Sequence, residues 1–234
     1  MRSFATTTSH PSRVEELGAF VSGACYDDLS DAAREALKLR VLDSLGTALG
    51  ALAAEPVARV RRLVEDFGGT PSCSLIGGGR SAPDRAALLN GALVRYLDFN
   101  DAYLAPGESC HPSDNLAPVL AACQYAGGDG RDVLAALAVA YQVQCRLSDA
   151  APVRAAGFDH TTQGSYAVAA GVSIPTDDIL RLVVADRRGG EDRPRARPRE
   201  GDVRGGRPRG LRLVRQELRP GGQPLRRPLP DRPA

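Results

Sequence analysis

No run in this sequence is long and apolar enough to span a bilayer. The two most apolar stretches, residues 41–54 and 133–145, fall short of the roughly 20 residues a spanning helix needs, and Asp43 interrupts the first. The first 12 residues lack the apolar centre of a secretory signal, so the chain is read as cytoplasmic, with no membrane partner. The five cysteines, Cys25, Cys73, Cys110, Cys123 and Cys145, contain no C-x-x-C pair and are odd in number. That excludes a disulfide framework or zinc ribbon and points to buried, reduced thiols. The run Gly77-Gly78-Gly79 has no Lys-Ser/Thr at Walker spacing and opens no G-x-G-x-x-G motif, which leaves a turn rather than a phosphate loop. Lysine occurs once, at Lys38, and histidine three times, at His10, His111 and His160.

What is present is helical periodicity. Ser12-Arg13-Val14-Glu15 is a capping-box pattern, followed by Leu17, Phe20, Val21 and Ala24 on one face. After Ser30, the residues Leu37, Val41, Ser44, Leu45, Ala48, Leu49 and Leu52 recur in steps of three and four, predicting a long helix packed closely in a core. Pro56 suits the first turn of a third helix through Phe67, which Gly68-Gly69 ends. Residues 73–76 suggest a short strand. Further helices are expected near 84–97, 113–126 and 131–147, and from about Thr162. The fold class expected is all-α, with about seven helices and at most one strand pair. The last helix should stop at Ile174-Pro175, because a residue before proline is biased away from the α region.

Composition divides the chain there. Residues 1–173 hold 13 Arg and one Lys against 19 acids, whereas residues 174–234 hold 16 Arg and no Lys against 9 acids. Arg, Pro and Gly make up 33 of those last 61 residues, so the segment is expected to be disordered. The expected organisation is an extension over 1–12, a partial helical domain over 13–173 and a tail over 174–234. One reading of the tail is an arm for nucleic-acid phosphates. The other is a frameshift, since out-of-frame GC-rich codons yield Arg, Pro and Gly. The tail has no Phe, Tyr or Trp on which bases could stack, which favours the frameshift and makes nucleic acid an unfavoured partner.

His111 and His160 both lie in loop-like sequence just before helices, where a rigid scaffold can present reactive groups. Asp98, Asp101 and Glu108 precede His111 closely and could orient an imidazole or cap the next helix. Asp98, Asp101, His111 and His160 would also make an oxygen and nitrogen ligand set, but at no recognisable metal spacing. A nucleophilic pair of Cys110 and His111 is disfavoured, because adjacent side chains rarely face each other.

Four segments together resemble one family. LKLRVLDSLG at 37–46, NGALVRYLDFND at 90–101, HPS at 111–113 and GFDH at 157–160 are similar, in that order, to segments of MmgE/PrpD proteins. The resemblance covers about residues 13–173. It implies a large helical domain with a smaller α+β lid, usually a homodimer. The implied activity is that of a lyase acting on a small polycarboxylate, such as 2-methylcitrate or cis-aconitate, without metal or organic cofactor. It carries catalytic roles to Asp98, His111 and His160. Asn100 stands where the family usually has Asp, Ala102 where Thr is common, and Arg95 where His is frequent. The family's catalytic lysines and a tyrosine lie further along its chain, where this sequence diverges, so the chain is expected to be an inactive fragment.

Overall fold

A computed structural model describes residues 12–176. Within them the fold is all-α. Seven helices, α1 (Arg13–Gly23), α2 (Asp31–Gly50), α3 (Glu55–Phe67), α4 (Pro83–Tyr96), α5 (Leu116–Tyr125), α6 (Gly130–Ala150) and α7 (Thr161–Thr176), form the body. Their starts are written locally. At α1 the Ser12 hydroxyl accepts from the Glu15 amide at 3.3 Å, and the Glu15 carboxylate accepts from the Ser12 amide at 2.7 Å. Asp129 and Asp132 form the same reciprocal box at α6, and at α2 the Ser30 hydroxyl accepts from the Ala33 amide, each cap contributing about 1 kcal/mol. Gly68, at a φ of +59°, ends α3 where the sequence predicts.

The helices enclose two apolar clusters. One gathers Val21, Leu37, Leu116, Val119, Leu137 and Ile174, the other Ala48, Val57, Val64, Leu89 and Leu93. Helix α5 serves both, with Val119 in the first and Ala121 in the second. The long α2 is less enclosed than its pattern suggests: of the stripe, Leu37, Ser44 and Ala48 are buried, whereas Leu49 and, just beyond the helix, Leu52 are exposed; Leu39 and Leu42, off the stripe, are exposed too. No single helix among the described residues is long and apolar enough to cross a membrane.

Two local expectations need correction. There are two short antiparallel hairpins among the described residues, not one: β1 (Cys73–Ser74) with β2 (Arg80–Ser81), and β3 (Tyr103–Ala105) with β4 (Glu108–Cys110). Strands of three residues show too little alternation to be read from sequence. Nor does the last helix stop before Pro175; α7 runs through it to Thr176. Ile174 lies fully buried in the first cluster, and that packing overrides the local bias against helix before proline. The Arg-rich segment, and with it the expected disorder and the frameshift, lies outside the described residues.

The first hairpin is held by Asn90 on α4. Its Oδ1 accepts from the Ile76 amide at 2.8 Å and its Nδ2 donates to the Ser74 carbonyl at 2.9 Å. Asn90 is buried, so Asn90→Ala leaves an amide and a carbonyl without partners. Urea titration is expected to show a loss of about 2–3 kcal/mol; a loss below about 0.5 kcal/mol would mean that water replaces both bonds.

Candidate active site

Four segments meet at one end of the body: the end of α4, the second hairpin, a 3-10 turn over Pro112–Asn115, and the loop leading to α7. They bring His111 and His160 together, with ring centroids 5.4 Å apart and the rings edge to face at 68°. The two stand 49 positions apart in the sequence.

His111 is held by its backbone surroundings. Its Nδ1 lies 2.8 Å from the Asp101 carbonyl oxygen. A carbonyl only accepts, so Nδ1 carries the proton and the neutral ring keeps its lone pair on Nε2. The Asp101 carboxylate is itself fixed, accepting from the Ser113 amide at 3.0 Å and from the Tyr141 hydroxyl at 2.9 Å. The Tyr141 phenol is pushed well above its ordinary value, by burial first and by the Asp101 charge next, so it remains a donor.

His160 lies between two carboxylates. Nδ1 is 3.0 Å from Asp159 Oδ1 and Nε2 is 4.0 Å from Asp114 Oδ2. Neither approach has hydrogen-bond alignment, and both ring nitrogens are buried without a partner. The ring thus keeps unused hydrogen-bonding capacity between two carboxylates, away from solvent.

Asp98 has another place. It is exposed, sits at the left-handed φ of +56° and pairs with Arg95 three residues earlier. The guanidinium, through hydrogen bond and charge, holds its carboxyl below the usual range. The contact that orients His111 comes from Asp101 rather than Asp98. Asp98 instead fixes Arg95, whose Nη1 also reaches Asn100 Oδ1 at 3.5 Å and whose Nε lies 3.9 Å from Asp114. Asn100, in turn, donates to Ser113 Oγ at 3.0 Å and to Asp114 Oδ1 at 3.2 Å.

Asp114 is the site residue that sequence reasoning missed, although it directly follows the His-Pro-Ser motif. Burial pushes its carboxyl up, against the opposing pull of Arg95, His111 and His160. A pKa raised in the folded state contributes stability below the unfolded value and loses it as pH rises through the folded one. The charged Asp114 thus costs stability at neutral pH. Asp114→Asn is expected to raise the thermal midpoint at pH 7, with the difference closing as pH falls through the raised folded value and gone below 3.8. An unchanged midpoint at both pH values would show that solvent reaches the carboxylate.

Of the ligand set weighed from the sequence, the two histidines meet, but the two aspartates are engaged elsewhere. Asp101 is spent on Ser113 and Tyr141, and Asp98 on Arg95. No group of three or more His, Cys, Asp or Glu among the described residues could hold a metal ion. Cys110 is buried at the end of β4 and shares a hydrogen bond with Cys145 on α6.

Residues 15–175 match the model of the MmgE/PrpD N-terminal domain. The chain belongs to the MmgE/PrpD family. It is 30% identical over 189 residues to the mitochondrial 2-methylcitrate dehydratase of Yarrowia lipolytica, covering 74% of this chain and 36% of that protein. It is also 30% identical over 174 residues to the 2-methylcitrate dehydratase of Cupriavidus necator, covering 68% and 36%. The cis-aconitate decarboxylase of Mus musculus is 29% identical over 140 residues, covering 57% and 28%. The chain thus spans about a third of the length of these MmgE/PrpD relatives. All four segments that carry the resemblance fall inside the matched domain, and the last two hold the facing histidines.

Proposed function

We propose that this chain carries part of the active site of a cofactor-independent lyase, a dehydratase or decarboxylase of a small polycarboxylate such as 2-methylcitrate or cis-aconitate. The observation that carries the reading is the facing pair of imidazoles, one with its lone-pair nitrogen defined by the Asp101 carbonyl. Elimination next to a carboxylate needs a base for the α-proton and an acid or cation for the departing group. His111 Nε2 is the base, accepting that proton. His160, once protonated, donates to the leaving oxygen or holds a substrate carboxylate. Asp98 keeps Arg95 in place at the rim, and Arg95 offers the first carboxylate contact.

The chain alone is inactive in this reading. Asp114 and Asp159 flank His160, Asp101 backs His111, and Arg95 is the cation paired with Asp98 and Asp114 at their edge. A polyanion entering this field meets repulsion until further cations are supplied. The chain's one lysine, Lys38, pairs with Glu35 on α2. In this reading a complete enzyme supplies further cations and works as a dimer in the cytoplasm.

The test is turnover of 2-methylcitrate and cis-aconitate by the purified chain, beside the Cupriavidus necator relative. Because catalytic groups act as a unit, the chain is expected to fall short by about a thousandfold or more. Turnover within about tenfold of the relative would show the site to be complete.

A further inference from the structure

A buried carboxylate close to the histidine pair has no part in the chemistry above. Glu108, on β4, is only 6% exposed. Its Oε2 accepts two hydrogen bonds, each at 2.9 Å, from the backbone amide of Val153 and from Nε2 of Gln163. Gln163 is buried in the first turn of α7, and the same Nε2 also donates to the Ala151 carbonyl at 3.0 Å. Its two acceptors thus lie on β4 and on the loop. Val153 and Gln163 bracket His160 in the chain, and Glu108 precedes His111 by three residues. One carboxylate oxygen thus draws the His160 loop and the start of α7 onto the strand that leads into His111.

We infer that Glu108 is a positioning residue that sets the spacing of His111 and His160 by bridging β4 to both sides of the His160 segment. The inference rests on reading the two imidazoles as a working pair.

Packing alone would not call for a carboxylate here. Burying one is unfavourable unless it is paired, and no ion pair reaches Glu108 among the described residues. Its second oxygen, Oε1, is buried without a partner, as is Oε1 of Gln163. The group is retained against that cost because an acceptor of this reach is needed at this point. A glutamine has the same length and one carbonyl oxygen, enough for both donors. Aspartate is one methylene shorter and cannot reach both the loop and α7.

The spacing can be read without turnover. With three histidines in the full chain, imidazole signals can be assigned from His111→Gln and His160→Gln. A ring-to-ring nuclear Overhauser effect between His111 and His160 then reports their approach. The wild-type chain and Glu108→Gln are expected to show it, together with slow exchange of the Val153 amide. Glu108→Asp is expected to lose the cross-peak and to exchange Val153 about tenfold faster or more. A cross-peak and protection retained in Glu108→Asp overturn the inference, as does their absence from the wild-type chain. If Glu108→Asp fails to fold, Gln163→Met removes the α7 half of the bridge and is judged by the same two signals. Failure of the lyase reading would appear as absent turnover in a completed enzyme with these signals intact, so the two failures are distinguishable.

Discussion

Fusing residues 12–176 to the remaining two thirds of a 2-methylcitrate dehydratase relative is expected to restore turnover, and His111→Gln in that chimera to abolish most of it. The expected fall in kcat is about 10^3-fold, within the range for removing a positioned general base. The argument starts from the Asp101 carbonyl, 2.8 Å from Nδ1, which fixes the proton on that nitrogen and the lone pair on Nε2. Glutamine is neutral and cannot take up a proton near neutral pH. KM should change little, because Arg95 and the supplied cations still hold the carboxylates, and the acid limb of the pH–rate profile should disappear. A fall of less than about tenfold, with that limb intact, would assign proton transfer to His160 or to a group outside this chain.

The second large effect is on stability and concerns Gly171. A Cβ built there meets Ala140 Cβ at 3.0 Å, Val119 Cγ2 at 3.1 Å and the Ala136 carbonyl oxygen at 3.2 Å. These atoms belong to α6, α5 and α6 again, so α7 lies against both helices at the closest approach a glycine permits. None of the three is the end of a long, flexible side chain, and one is backbone. Alanine would gain up to about 1 kcal/mol of helix propensity and lose a similar amount or more to crowding. Valine gains less propensity and adds two methyl groups, so Gly171→Val is expected to cost about 3 kcal/mol. It should also disturb the approach of α7 to the site. Chemical denaturation measures the first effect. A loss below about 1 kcal/mol would mean that α7 can shift outward freely, and the close three-helix contact would not be what fixes its position.

Much of the fold was legible in the sequence because its determinants are local. Ser12, Ser30 and Asp129 fix helix starts through hydrogen bonds spanning three residues, and Gly68 ends α3 through its own φ. The heptad-like spacing along α2 gave its existence and one buried stripe. It did not reveal that Leu49 and Leu52 are exposed, since a stripe shows which residues share a face and not how much of it is covered. Two histidines before helices, in motif segments of the MmgE/PrpD type, were enough to nominate His111 and His160.

By itself, then, the sequence determined the helical class, the helix starts, the family and the two imidazoles, all of which depend on residues near one another or on a shared order of motifs. Tertiary structure alone decided the geometry between distant segments. It brought the two rings within 5.4 Å and gave the orienting contact to the Asp101 carbonyl, leaving Asp98 to Arg95. It also drew Asp114 between Arg95 and His160 and made Glu108 a bridge to Val153 and Gln163. Even the helical state of Ile174-Pro175 was set this way, by burial of Ile174. For the pairs that join β4 and the His111 turn to the His160 segment, the physical reason is common. A side chain's partner across 45 to 55 residues is chosen by how helices pack, and packing is a sum over many apolar contacts that no short window of sequence contains.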